Sequence, residues 1–284
     1  MNIQLMTDSG ADIPKRLREE IPLTVAPLYL HFHDGQYRTG VDMDLENYHK
    51  KVEEAKELPR SAAPSPSDFY EAFKEADPAK PILMLSLSKG LSSTYENAVM
   101  GKNMLLEEEP ERRIEVINTK TASCGIALQL HEAARKIREG LTFEELVPHM
   151  EERIEQTATL FVLKTLENLI IGGRLDKVKG TIAKTLNIKL LMQASEQGTI
   201  EVTEKVRGDK KSIRRFIDQI GEHITNANKK VICMSHCNAG EKAQKVIEEI
   251  SGKYSFDDAY LMDMGPLIAT YGGEGALVIS FYKN

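Results

Sequence analysis

The apolar residues in the first half of the chain alternate between short continuous runs and helix-like spacing. Runs that predict buried strands cover residues 2–6 and 23–32, the segment after Pro81, and residues 114–117. Later positions recur three and four apart, which predicts amphipathic helices around Ala127–Ile137 and over residues 143–154. This alternation predicts an α/β domain with a Rossmann-like parallel sheet covered on both faces.

The second half of the chain shows a different pattern, which predicts a hairpin together with strand and helix units. Residues 188–194 and 199–206 flank the polar segment Ser195-Glu196-Gln197-Gly198, which is typical of a hairpin turn. Apolar spacing predicts one long helix over residues 213–224 and a final strand over residues 276–282. We therefore expect a C-terminal α+β domain over residues 157–284, after an N-terminal α/β domain over residues 1–156.

Two local signals lie between the predicted elements of the first domain. Asp12 before Pro14 is a helix-start pattern, in which the aspartate would cap the helix. Residues 58–66 contain three prolines, so we expect an ordered, non-helical loop there.

The segment after Pro81 carries the first candidate site. An apolar run is followed by Lys89-Gly90, and then Ser92, Ser93 and Thr94 open a segment with helical spacing. The start of a helix presents unpaired backbone N–H groups, and hydroxyls there can cap the helix or donate to an anion. The segment is compatible with ordinary capping and with a carboxylate site.

Composition restricts the possible classes of function. The chain has 284 residues and a formal net charge of −6, whereas a nucleic-acid-binding protein should present a basic face. No apolar run approaches the ~20 residues of a membrane span, and the N-terminal residues do not resemble a signal peptide. Three cysteines fit a reducing compartment, so we expect a cytoplasmic protein.

Sequence motifs for catalysis and for cofactors are mostly missing. Neither a phosphate-binding loop nor a dinucleotide-binding glycine motif occurs, so no cofactor is predicted. Cys233, His236 and Cys237 lie close in sequence without a second cluster, so no metal site is predicted. A hydrolase or acyltransferase with a serine nucleophile stays an alternative, although no Gly-x-Ser-x-Gly surrounds the serines near position 92. Arg174, after two glycines, could meet a carboxylate or a phosphate.

Together these motifs resemble the DegV family, which includes the fatty-acid-binding subunits of bacterial fatty acid kinase. The resemblance spans the whole chain. It rests on five segments in order: Thr7-Asp8-Ser9-x-x-Asp12, Ser61-Ala62-Ala63-Pro64-Ser65-Pro66, Ser88-x-x-Leu91-Ser92-Ser93-Thr94-Tyr95, Leu166-Glu167-Asn168-Leu169 leading to Gly172-Gly173-Arg174, and Thr270-Tyr271-Gly272-Gly273-Glu274-Gly275-Ala276.

The resemblance implies two domains with a long-chain fatty acid buried between them. The carboxylate would contact the hydroxyls of Ser61 and Ser92, with Ser93 and Tyr271 at the same end of the site. A separate kinase subunit would phosphorylate the bound fatty acid, and the acyl phosphate would enter phospholipid synthesis. Arg174 would face the carboxylate or the phosphate held by the kinase.

Four departures from the family pattern fall at the carboxylate end. Ser61 replaces a threonine and keeps its hydroxyl. Ala62 replaces a serine and loses a hydroxyl, whereas Ser93 replaces a glycine and adds one. Tyr271 replaces a histidine; it can still donate a hydrogen bond but does not become cationic near neutral pH. The acyl ligand of this chain can therefore differ from the usual one.

Overall fold

The computed structural model describes residues 2–175, 188–224, 227 and 230–283. Its strands are β1 (Gln4–Asp8), β2 (Leu23–Ala26), β3 (Tyr29–Phe32), β4 (Gly35–Arg38), β5 (Arg60–Ala62), β6 (Ile82–Ser86), β7 (Ile114–Asn118), β8 (Thr157–Val162), β9 (Ile188–Ala194), β10 (Ile200–Arg207), β11 (Val231–His236), β12 (Asp258–Asp263) and β13 (Leu277–Tyr282).

The helices are α1 (Lys15–Glu20), α2 (Leu45–Ala55), α3 (Pro66–Lys74), α4 (Thr94–Glu108), α5 (Cys124–Arg138), α6 (Phe143–Glu155), α7 (Glu167–Ile171), α8 (Asp209–Asp218), α9 (Ile220–His223), α10 (Gly240–Lys253) and α11 (Pro266–Gly272). None of the helices in the described ranges is long and apolar enough to cross a membrane.

A four-stranded parallel sheet forms the core of the first half, in the order β2-β1-β6-β7. Every residue of β6 is buried, because both faces of the sheet are covered. Met84 packs with Phe69 and Phe73 of α3 on one face, whereas Leu83 and Leu85 belong to the larger cluster that includes α5. The predicted Rossmann-like parallel sheet is confirmed.

A mixed six-stranded sheet forms the second half, in the order β10-β9-β8-β13-β11-β12. The predicted hairpin is its edge, β9 and β10, paired antiparallel. Successive residues of β8 face opposite sides. Leu160 and Val162 pack into the cluster under α8 and α10, whereas Thr159 and Phe161 face the first half of the molecule.

Residues 23–32, predicted as one strand, form two strands in different sheets. β2 joins the parallel sheet, and β3 lies between β4 and β5 in a small antiparallel sheet. Pro27 has no N–H for a ladder, and the next N–H, that of Leu28, donates to Ser9 Oγ at 2.7 Å. The prediction of a single strand was wrong because this turn lacks a glycine or an asparagine to mark it.

Two further predictions need correction, and two elements were not predicted. The expected loop over residues 58–66 contains β5, in which Ser61 pairs with Leu30 of β3. The long helix over residues 213–224 is two helices, α8 and α9, which meet at Gln219. β12 and α11 were not predicted. The strands up to β7 belong to the four-stranded and three-stranded sheets, whereas β8, which begins at Thr157, and all later strands belong to the six-stranded sheet. A domain boundary near Thr157 stays a prediction.

Candidate functional site

A mostly apolar cavity lies where the two halves of the molecule meet, with about 880 Å³ of empty space when its opening to solvent is included. Leu87 and Leu91 line it from the first half, and Phe161, Leu163 and Leu267 line it from the second half. An apolar ligand would be covered from both sides.

The cavity extends along one face of β8. Thr159, Phe161 and Leu163 all line it, and alternate residues of a strand share a face. Four residue steps at ~3.3 Å each give about 13 Å between Leu163 and Thr159. The end near Leu163 adjoins the segment that follows α11, because Lys164 lies 3.4 Å from Glu274.

Two hydroxyls meet at this end of the cavity. Ser61 Oγ of β5 lies 2.5 Å from the hydroxyl oxygen of Tyr271 in α11, and both side chains line the cavity. Both residues are half-buried. Two predicted site residues are therefore in direct contact, and they form a polar end on an otherwise apolar cavity.

Arg174 lies beside this pair. Its Nη1 donates to the carbonyl oxygen of Gly172 at 2.6 Å, and its Nε donates to that of Leu91 at 3.2 Å. The guanidinium carbon lies 5.2 Å from the centroid of the Tyr271 ring. A Cβ on Gly172 would come within 2.4 Å of that ring, so only glycine fits there without moving Tyr271.

Ser92 lies just before α4 and lines the cavity. The Thr94 N–H donates to Ser92 Oγ at 3.3 Å, and the two hydroxyl oxygens lie 2.8 Å apart. Ser93 is the N-cap residue of α4, and its side chain makes no cap hydrogen bond. Ser93 is different, since its side chain is exposed and does not line the cavity. The structure brings Ser61, Ser92, Arg174 and Tyr271 to one cavity, without Ser93.

Comparison with known proteins identifies the family. The model of the DegV family, described as uncharacterised proteins, matches residues 2–284. The chain belongs to the DegV family. A DegV domain-containing protein of Streptococcus pneumoniae is 30% identical over 283 residues, which are 99% of each chain.

Two solved structures of this family are similar over nearly their whole length. A DegV family protein from Ruminococcus gnavus, refined with vaccenic acid, has a TM-score of 0.92 at 30% identity, with 99% of both chains covered. The fatty acid kinase B3 protein of Streptococcus pneumoniae, loaded with linoleic acid, has a TM-score of 0.87 at 30% identity, with 100% of both chains covered.

Two aspartates of the DegV opening motif are buried beside the cavity. Asp8 accepts hydrogen bonds from the N–H groups of Gly10 and Leu87 and from Ser86 Oγ, at 2.8–2.9 Å. Burial raises the pKa of Asp8 to about 6. These bonds hold the start of the loop that carries Ser92.

Asp12 does not cap a helix, contrary to the prediction. Pro14 is the residue before α1, and no side chain caps that helix. Asp12 instead accepts from Ser123 Oγ at 2.5 Å and from the Gly265 N–H at 2.7 Å. Burial raises the pKa of Asp12 to about 7. The carboxyl links the first half to the loop before α11, a role that no local sequence pattern indicates.

Metal ligation finds no support within the described ranges. There, no group of three or more histidine, cysteine, aspartate or glutamate side chains could hold a metal ion. Cys124, Cys233 and Cys237 are buried free thiols.

Proposed function

We propose that this DegV protein binds a long-chain fatty acid in the cavity, with the carboxylate at the Ser61–Tyr271 end. The observation that carries the proposal is an apolar cavity whose one end holds two contacting hydroxyls, with Arg174 and Ser92 beside them. The fatty acids bound by the similar R. gnavus and S. pneumoniae proteins support it.

The physical roles of the two parts of the ligand differ. Each methylene buried would contribute ~0.8 kcal/mol, so the acyl chain supplies most of the affinity. A buried carboxylate without partners is costly, so the donors at Ser61, Ser92 and Tyr271 mainly determine the position of the head group.

We further propose that the chain is not itself an enzyme and presents the carboxylate to a separate fatty acid kinase. The product would be an acyl phosphate that feeds phospholipid synthesis. Similarity to the S. pneumoniae fatty acid kinase B3 protein supports this partner. Free thiols in the chain favour a cytoplasmic location. Arg174 would face the partner or the phosphate.

A serine hydrolase gains no support from the contacts of Ser92. Its hydroxyl is bonded to Thr94, and within the described ranges it has no hydrogen bond to a histidine. The base that a serine nucleophile needs is thus not in place at this residue.

Native mass spectrometry and lipid extraction of the purified protein test the proposal. We expect an intact fatty acid to co-purify, and addition of a cognate kinase with ATP to convert it to acyl phosphate. Protein that neither retains nor takes up any fatty acid would refute binding. Turnover of an activated ester that is lost in Ser92→Ala would favour the hydrolase instead.

A further inference from the structure

Three hydroxyls form a connected row at the opposite end of the cavity from Tyr271. Thr121 Oγ1 lies 2.7 Å from Thr159 Oγ1, which lies 2.8 Å from Ser280 Oγ. Thr121 belongs to the loop between β7 and α5, whereas Thr159 and Ser280 pair on neighbouring strands of the six-stranded sheet. Thr121 and Thr159 line this cavity and also a neighbouring polar surface pocket, so the cavity is polar at the end where they lie.

The hydrogen bond that this row makes to a group outside it is long. Three hydroxyls carry three protons, but two contacts join them, so one proton must point to a group outside the row. Two groups outside the row lie near its two ends. The Ala122 carbonyl oxygen lies 3.4 Å from Thr121 Oγ1, and the Cys124 sulfur lies 3.6 Å from Ser280 Oγ. The carbonyl contact is longer than the usual 2.5–3.0 Å of an O–H···O bond, and a thiol is a weak acceptor.

Ser123 shows what full pairing looks like in the same wall. Its side chain also lines the cavity, but its oxygen lies 2.5 Å from Asp12 Oδ2 and 2.6 Å from Ser235 Oγ. The Ser123 proton goes to the Asp12 carboxyl and the Ser235 hydroxyl donates to Ser123, so Ser123 has no proton without an acceptor. The hydroxyl proton without a close acceptor belongs to the row of Thr121, Thr159 and Ser280.

We propose that the end of the cavity lined by Thr121 and Thr159 binds an oxygen substituent on the acyl chain, which makes hydroxylated long-chain fatty acids the preferred ligands. The ligand hydroxyl accepts from or donates to Thr121 Oγ1. It does so about 13 Å along β8 from the carboxylate end, the distance from Leu163 to Thr159. This inference rests on the proposed binding of a fatty acid with its carboxylate at Ser61 and Tyr271.

The test compares stearic acid with its isomers that carry one hydroxyl at successive carbons, by titration calorimetry. We expect one isomer to bind about fivefold more tightly than stearic acid, the gain of one hydrogen bond. Thr121→Val, which keeps the shape of the side chain, should abolish that preference, measured as the ratio of the affinities of the isomer and of stearic acid within the variant. Thr7→Val is the matched control, since Thr7 is buried and bonded to the Leu85 carbonyl away from the cavity.

The outcomes separate this inference from the proposed function. Equal or weaker binding of every hydroxylated isomer, with tight binding of stearic acid, overturns the inference alone. An isomer preference that survives in Thr121→Val also overturns it. If neither stearic acid nor any of its hydroxylated isomers binds, the proposed function is refuted as well.

Discussion

The hydroxyl oxygens of Ser61 and Tyr271 lie 2.5 Å apart although 210 positions separate the two residues in the chain. One hydroxyl must donate to the other, because each carries a single proton. The accepting hydroxyl then keeps its own proton for a ligand. The pair can therefore donate one hydrogen bond to a carboxylate while its geometry is held by β5 and α11.

Tyr271→Phe should weaken acyl binding, because it removes one hydroxyl of this pair and leaves Ser61 without its partner. We expect a loss of about 0.5–1.5 kcal/mol, or somewhat more because the acceptor is charged. Fatty-acid titration measures it, with Tyr95→Phe on α4 as the control. A ligand-bound structure with the Tyr271 hydroxyl directed away from the carboxylate would contradict this role.

Ser92→Ala and Ser93→Ala form a matched pair of adjacent substitutions. Ser92 lines the cavity, so its loss should cost about 1.5–3 kcal/mol of acyl binding if it donates to the charged head group. Ser93 is exposed, so its substitution should leave the affinity unchanged. Equal effects of the two in the same titration would place the carboxylate somewhere else. A thermal melt of Ser92→Ala checks the effect on stability of losing the bond from the Thr94 N–H.

Arg174→Ala should retain the bound lipid but fail to support phosphorylation by the cognate kinase. The reason is that its guanidinium contacts backbone carbonyls and the Tyr271 ring, which keep the charge at the polar end of the cavity. Mass spectrometry of the bound lipid and a kinase assay report the two properties separately. The exposed Arg207 gives a control variant, Arg207→Ala. Lipid lost from a folded variant would instead make Arg174 a direct ligand contact.

Asp12 should make the protein relatively more stable as the pH falls below neutrality. Burial raises its pKa from an ordinary 3.8 to about 7, so the folded state binds a proton that the unfolded state releases. That contribution is fully present below pH 3.8 and is lost as the pH rises to 7. The free energy of unfolding, compared with that of Asp12→Asn, should therefore increase by up to about 1.4 kcal/mol per pH unit from pH 7 to pH 5.

Denaturant titrations of both proteins at several pH values provide the measurement. Taking the difference between the two proteins removes the contributions of the other carboxylates, including Asp8. A difference that is independent of pH between 5 and 7 would show that Asp12 is ionised in the folded protein throughout this range.

The sequence by itself determined the elements whose signals are local. The buried strand β6 appears in the sequence as a short apolar run. The start of α6 appears as the capping box of Thr142 and Glu145, two residues three positions apart. Both signals depend only on residues a few positions apart. The five motifs indicated the family, and with it the expectation that Ser61, Ser92 and Tyr271 share a site. Pro27 broke a run that appeared continuous, and the acceptor of the next N–H, that of Leu28, is the hydroxyl oxygen of Ser9, 19 positions away.

Only the tertiary structure decided which side chains meet. Ser93 follows Ser92 directly, yet the start of α4 turns one toward solvent and the other toward the cavity. Asp12 contacts the loop before α11, and Thr121 contacts Thr159, across gaps in sequence that no local pattern spans. Such contacts arise because the parallel sheet and the six-stranded sheet pack against each other, which brings loops from separate segments of the chain to one cavity.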